Sequence, residues 1–209
     1  MQTLFDQWAT TYDRAVKETE AQDRYPFAGY TDIKRTIFNT TLAQGVKEIL
    51  EMGIGTGTIS KALYESGHAI TGVDLSKNMI QVAQERLPDA KLHHAAFETF
   101  TKTLTTEVYD VVIFSYSIHH LTYEAQTRLL LKLKEYLSHE GLILIGDVMA
   151  KDAQTLSRLK ARYASAWDTE EHYPLVSHYK NGDITRYFSV EYQPLSHCSG
   201  VITLKKHGQ

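Results

Sequence analysis

The chain has 209 residues, 43% of them hydrophobic and 22% charged, a balance that excludes intrinsic disorder and suffices for a sizeable core. A formal charge of −3 offers no basic face to a phosphate backbone, so nucleic acid is not expected as a partner. The one cysteine, Cys198, excludes an intramolecular disulfide and a cysteine-rich metal site; no secretion leader or bilayer-length apolar run is read, so a cytoplasmic protein without membrane association is expected.

In chain order, residues 1–45 read as a helical N-terminal cover, 46–150 as a ligand-binding core, and 151–209 as a helix and terminal hairpin, all within one domain. Short Val- and Ile-rich runs predict strands over 46–51, 69–73, 91–95, 108–115 and 142–148, with Gly67 and Gly141 as punctuation before two of them. Between them, helices are predicted over 59–66, 77–86 and 123–137, with Ser76 and Thr122 as N-caps of the last two. Strands alternating with helices predict a doubly wound α/β fold around a mostly parallel sheet. Beyond Ala150 a helix over 152–167 precedes two strand-like runs, 184–192 and 200–205, which read as an antiparallel hairpin at a sheet edge.

The most informative segment is Glu51-Met52-Gly53-Ile54-Gly55-Thr56-Gly57, where a strand enters a glycine-rich turn and a helix follows at once. Such a turn at a strand's carboxyl end and a helix's N-terminus lets a ligand approach the backbone. The next strand ends in Gly72-Val73-Asp74-Leu75-Ser76, placing a carboxylate where it can accept hydrogen bonds from both ribose hydroxyls. Together these read as a nucleoside site. A Glu51 carboxylate would repel a pyrophosphate but attract an ammonium or sulfonium, so the charge favours S-adenosylmethionine over a dinucleotide.

On these residues the chain resembles a class I S-adenosylmethionine-dependent methyltransferase. Tyr109 to Ser115 and Tyr136 to Leu144 match the family's fourth strand and its later helix, turn and fifth strand. Trp8-Ala9-Thr10-Thr11-Tyr12-Asp13 is similar to a segment that covers the cofactor in small-molecule members. With Ser115 to Thr122 and Glu170 to Pro174, it narrows the resemblance to an uncharacterised Bacillus and Lactobacillus subgroup. The resemblance implies a seven-stranded sheet in the order 3-2-1-4-5-7-6 with strand 7 antiparallel. It also implies a cofactor site formed by Glu51, Gly53, Gly55, Gly57, Asp74, Leu75, Met79, Ala96, Phe97 and Ser115. One position departs from the pattern: an acid commonly meets the adenine amino group where Ala96 stands, which leaves that group to Glu98 or a main-chain carbonyl, while the Phe97 amide is placed to meet the adenine ring.

Methyl transfer needs an aligned nucleophile, exclusion of water and, for a protonated acceptor, a base. His120 is the expected base, because imidazole titrates near neutrality, and Tyr12 is expected to cover the cofactor. Ser115, Tyr116, His119, Asp147 and Tyr30 are further candidates, and a purely structural bond to backbone is the other reading of either histidine. No metal is expected, since neighbouring side chains rarely point at one ion. The function expected is methylation of a small-molecule acceptor by a monomer or homodimer. A nicotinamide-dependent oxidoreductase and a binding protein without catalysis are the alternatives.

Overall fold

The computed structural model describes residues 12–45 and 48–207. Seven strands form one sheet in the order β3-β2-β1-β4-β5-β7-β6. They are β1 (Glu48–Met52), β2 (Ala69–Asp74), β3 (Lys91–His94), β4 (Tyr109–Ser115), β5 (Leu137–Val148), β6 (Phe188–Pro194) and β7 (Ser199–Lys206). Strands β1 to β5 pair in parallel, and β7 runs antiparallel to both β5 and β6. This is the order and the single reversed strand that the resemblance implies.

Period-2 alternation divides the core between the two faces. Ile49, Val111, Ile113 and Leu144 face α1 (Tyr12–Glu20), α2 (Tyr30–Ala43), α3 (Ser60–Glu65) and α4 (Lys77–Arg86). Leu50, Val112, Phe114, Ile143 and Ile145 face α5 (Phe97–Thr101), α6 (Tyr123–Leu133) and α8 (Val176–Asn181). Both predicted caps form: the Ser76 hydroxyl accepts from Met79 N and that of Thr122 from Ala125 N. Ile33 and Ile37 seat α2 on β5 at Gly146, where a Cβ would lie 2.5 Å from Ile33 Cγ2.

Several boundaries differ from the sequence reading. Gly141 lies inside β5, because a register shift lets Leu137 pair with Tyr109 before Leu142 pairs with Val111. The α6 helix tightens into a 3₁₀ turn at Lys134–Tyr136, and Asp152 caps a shorter helix, α7 (Ala153–Arg162). Ile184 belongs to a 3₁₀ turn ahead of β6, and the short helix α8 is an element the sequence pattern did not mark. The expected strand start at Val46, and Trp8 to Thr11 of the covering segment, lie outside the described residues. Among the described residues no helix is long and apolar enough to cross a membrane.

Candidate active site

The glycine turn hangs on β2: Gly53 N and Ile54 N both donate to the Val73 carbonyl, at 2.8 and 3.0 Å. Gly53 has φ +84°, and a Cβ there would lie 2.4 Å from Ser117 Cβ, so glycine is the residue that fits. Ser117 stands so close because its hydroxyl donates to the Met52 carbonyl at 2.6 Å, tying the turn after β4 to the end of β1. Gly55 has φ +54° and open space where a Cβ would stand. That open face borders a cleft which Glu51, Gly53, Asp74 and Ser115 also line. Gly57 is not among the lining residues; it faces α4, where a Cβ would lie 3.0 Å from Leu87 Cδ1.

Two acids flank the turn. Asp74 accepts Gly55 N on Oδ2 and Ser76 N on Oδ1, both at 2.8 Å, which fixes the carboxylate and leaves it acceptor capacity. Burial raises its pKa, and the N–H groups of Ser76, Gly55 and Leu75 oppose that rise. Because Ser76 caps α4, Asp74 is not needed as the cap. Glu51 is buried against the Ser60 hydroxyl, which donates to it. Burial pushes its carboxyl up to about 8, and the charge of Asp74 adds to the rise.

Leu75, Met79, Ala96 and Phe97 give one end of the cleft an apolar lining suited to a planar base. Ala96 stands at the N-cap of α5, whereas Glu98 is exposed and does not line the cleft. The other end is aromatic. Tyr116, in the left-handed region at φ +49°, packs its ring 5.2 Å from Phe27 and 5.5 Å from Tyr30. Strain of this kind persists where the surroundings hold it, here the bond from Tyr116 N to the Gly146 carbonyl at 2.9 Å.

His120 lines the same end of the cleft, whereas His119 is buried behind it. His119 Nδ1 meets Asp147 Oδ1 at 2.7 Å and Oδ2 at 2.9 Å. Glu171 Oε1 lies 3.4 Å from His119 Nε2 and 3.8 Å from His120 Nδ1. Burial would lower His119, but Asp147 and Glu171 lift it to about 10. Burial, together with the adjacent His119, lowers His120 to about 4. Sequence reasoning named both histidines and Asp147 but gave Glu171 no role. Its only signal is the Glu170 to Pro174 motif, since the fold alone brings that segment back to β4.

Tyr12 opens α1, and its side chain lies outside the described part of the structure. The residue beside it, Asp13, reaches the glycine turn by accepting the hydroxyls of Thr56 and Thr58 at 2.8 and 3.1 Å. Arg86 completes that contact with its own donor to the Thr56 carbonyl at 3.1 Å.

Residues 49–141 match the methyltransferase domain family. An uncharacterised methyltransferase of Oceanobacillus iheyensis is 30% identical over 210 residues, covering 97% of this chain and 96% of the relative. The chain belongs to this methyltransferase family. A second uncharacterised methyltransferase, from Bacillus licheniformis, is 30% identical over 198 residues, covering 91% of this methyltransferase and 90% of its own length. Among solved structures, the fold is similar to a magnesium protoporphyrin IX methyltransferase from Synechocystis with bound SAH: TM-score 0.72, 15% identity, 99% of this chain and 100% of that one. It is also similar to a plantazolicin methyltransferase in complex with a desmethyl analog and SAH: TM-score 0.64, 17% identity, 99% and 95% coverage. Membership sets aside the nicotinamide-dependent alternative for this methyltransferase.

Proposed function

We propose that this methyltransferase holds S-adenosylmethionine across the Gly53–Gly57 turn and methylates a small molecule that enters beneath Tyr30, Tyr116 and His120. The observation that carries the reading is the meeting of two acids at an open glycine face: Glu51 and Asp74 line the same cleft as Gly55, whose N–H donates to Asp74. Asp74 would accept the ribose with its remaining capacity, Glu51 would face the cationic end, and Leu75, Met79 and Phe97 would receive the adenine. The bound donor supplies a methyl group on a positively charged sulfur, already a good leaving group.

The chain's own part is to orient and enclose. The Asp13 contact sets the first turn of α1 beside the glycine turn, which supports Tyr12 as cofactor cover. At the acceptor end, His120 brings an imidazole to a wall otherwise made of aromatic rings, and it is the side chain assigned to the acceptor's nucleophile. The reading keeps the sequence expectations of a small-molecule acceptor and a cytoplasmic reaction; the net charge of −3 supports the first. Neighbours named for magnesium protoporphyrin IX and plantazolicin support it as well.

Labelled S-adenosylmethionine incubated with the chain and a metabolite extract should yield a labelled small molecule, and calorimetry should show binding of S-adenosylhomocysteine. Cofactor binding with no labelled product from any extract would leave the binding-protein alternative, for which Ala96 is the motive. No cofactor binding at all would overturn the reading.

A further inference from the structure

We propose that His119, His120 and Glu171 form a binding site for one divalent first-row transition metal ion, facing the acceptor end of the cleft. One ligand atom from each of the three lies within 4.8 Å of the other two. With metal–ligand bonds of roughly 2.0–2.2 Å, two atoms on one ion stand about 3 Å apart at right angles and about 4 Å apart when opposed. The separations of 3.4 Å and 3.8 Å from Glu171 to the two imidazoles fall inside that window.

Neighbouring histidines on a strand would diverge, but these two occupy the 3₁₀ turn Ile118–His120. Their rings stand 4.2 Å apart between centroids and cross at 68°. The surroundings resemble the outer shell of a metal centre. Asp147 takes the Nδ1 side of His119, which turns Nε2 towards Glu171 and fixes the tautomer a metal would need. His172 N donates to the His119 carbonyl at 2.8 Å, pinning the distant segment to the turn.

The donor set decides the ion. Two imidazoles and one carboxylate, with no thiolate, suit Zn²⁺ or Fe²⁺ better than Ca²⁺ or Mg²⁺, which favour oxygen ligands. Three protein ligands leave positions open, and His120, which lines the cleft, turns them towards the acceptor. On the methyl-transfer reading, the ion would hold an acceptor by a hydroxyl, carboxylate or thiol, and His120 would serve it as a ligand. The competing arrangement is a plain ion pair, with a proton on His119 between Asp147 and Glu171.

The test uses the tag-free full chain, stripped with chelator and titrated anaerobically with Co²⁺, followed by visible absorption and calorimetry. S-adenosylhomocysteine binding is measured separately on the same sample. One Co²⁺ per chain is expected, displaceable by Zn²⁺. Affinity should fall at least roughly tenfold in Glu171→Gln and in His120→Gln, and about 10–100-fold in Asp147→Asn, with cofactor binding retained. A chain that binds the cofactor but takes up no stoichiometric Co²⁺ overturns the site, as does uptake unaffected by both Glu171→Gln and His120→Gln. Failure of the cofactor to bind counts against the methyl-transfer reading instead.

Discussion

Asp13 on the first turn of α1 and Arg86 at the end of α4 meet at 2.7 Å, each about one third exposed, directly over the glycine turn. Both also bond to that turn, Asp13 through the Thr56 and Thr58 hydroxyls and Arg86 through the Thr56 carbonyl and the Thr58 hydroxyl. Burial works against the charge on Asp13, yet Arg86 and the two threonines hold its pKa below the usual value. The pair therefore ties α1 to the loop that would carry the cofactor.

Partial exposure limits what that tie contributes. Asp13→Asn should weaken S-adenosylhomocysteine binding by about 1 kcal/mol, roughly fivefold, and less at high salt. Arg86→Gln should cost a similar amount, and the double variant little more than either single one. Calorimetry across the cycle checks this; fully additive losses would show that the two residues act separately.

Asp74 has a different role, since its carboxylate shapes the turn and, on the proposed reading, also takes the ribose. Asp74→Ala should weaken donor binding by roughly 1.5–3 kcal/mol, the scale of hydrogen bonds to a charged group. Asp74→Asn keeps the shape but offers one acceptor oxygen where two N–H groups need one each, so it should recover only part of the thermal stability and part of the affinity. Wild-type affinity in both variants would place the ribose elsewhere.

Glycine 53 and glycine 55 separate folding from binding. Both lie at positive φ, but a Cβ at 53 collides with Ser117 while one at 55 meets nothing within 4 Å. Gly53→Ala should therefore lose stability, by about 1–3 kcal/mol for the overpacking beyond the backbone strain. Gly55→Ala should lose less stability and more cofactor affinity, because its methyl projects into the cleft. Thermal melts and calorimetry on the two variants test the ordering.

These contrasts also show which features were legible in the sequence. The turn Glu51 to Gly57 and the acid at 74 are local: strand, glycine spacing and carboxylate are read along a few consecutive residues, and the fold keeps them together. Continuous apolar strands likewise declare a sheet buried on both faces. Gly57 shows the limit, because its spacing resembles that of Gly55 while its missing side chain makes room for Leu87. Glu171 shows another, since nothing near it in the chain announces that β5 and the segment after α7 return it to His119. The reach of β5 back to Leu137 depends on a register shift against Tyr109, a pairing property with no local signature.

The pH dependence of Glu51 ties the buried site to the charge of the donor. Burial raises its carboxyl from an ordinary 4.5 to about 8, so the free chain should hold a proton there at neutral pH. A folded value above the unfolded one means the native state binds the extra proton. The resulting stability is complete below about 4.5 and is lost as pH rises through about 8. A cation in the cleft reverses the preference, since it favours the carboxylate, and so binding should expel that proton. S-adenosylmethionine should bind more tightly as pH rises towards 8, with proton release seen as a dependence of the calorimetric heat on the buffer's ionisation enthalpy. Glu51→Gln should flatten both the affinity and the stability profiles over that range. A proton count of zero at pH 7 in the native chain would show that Glu51 is already ionised, and that the donor's charge meets a carboxylate that was never neutral.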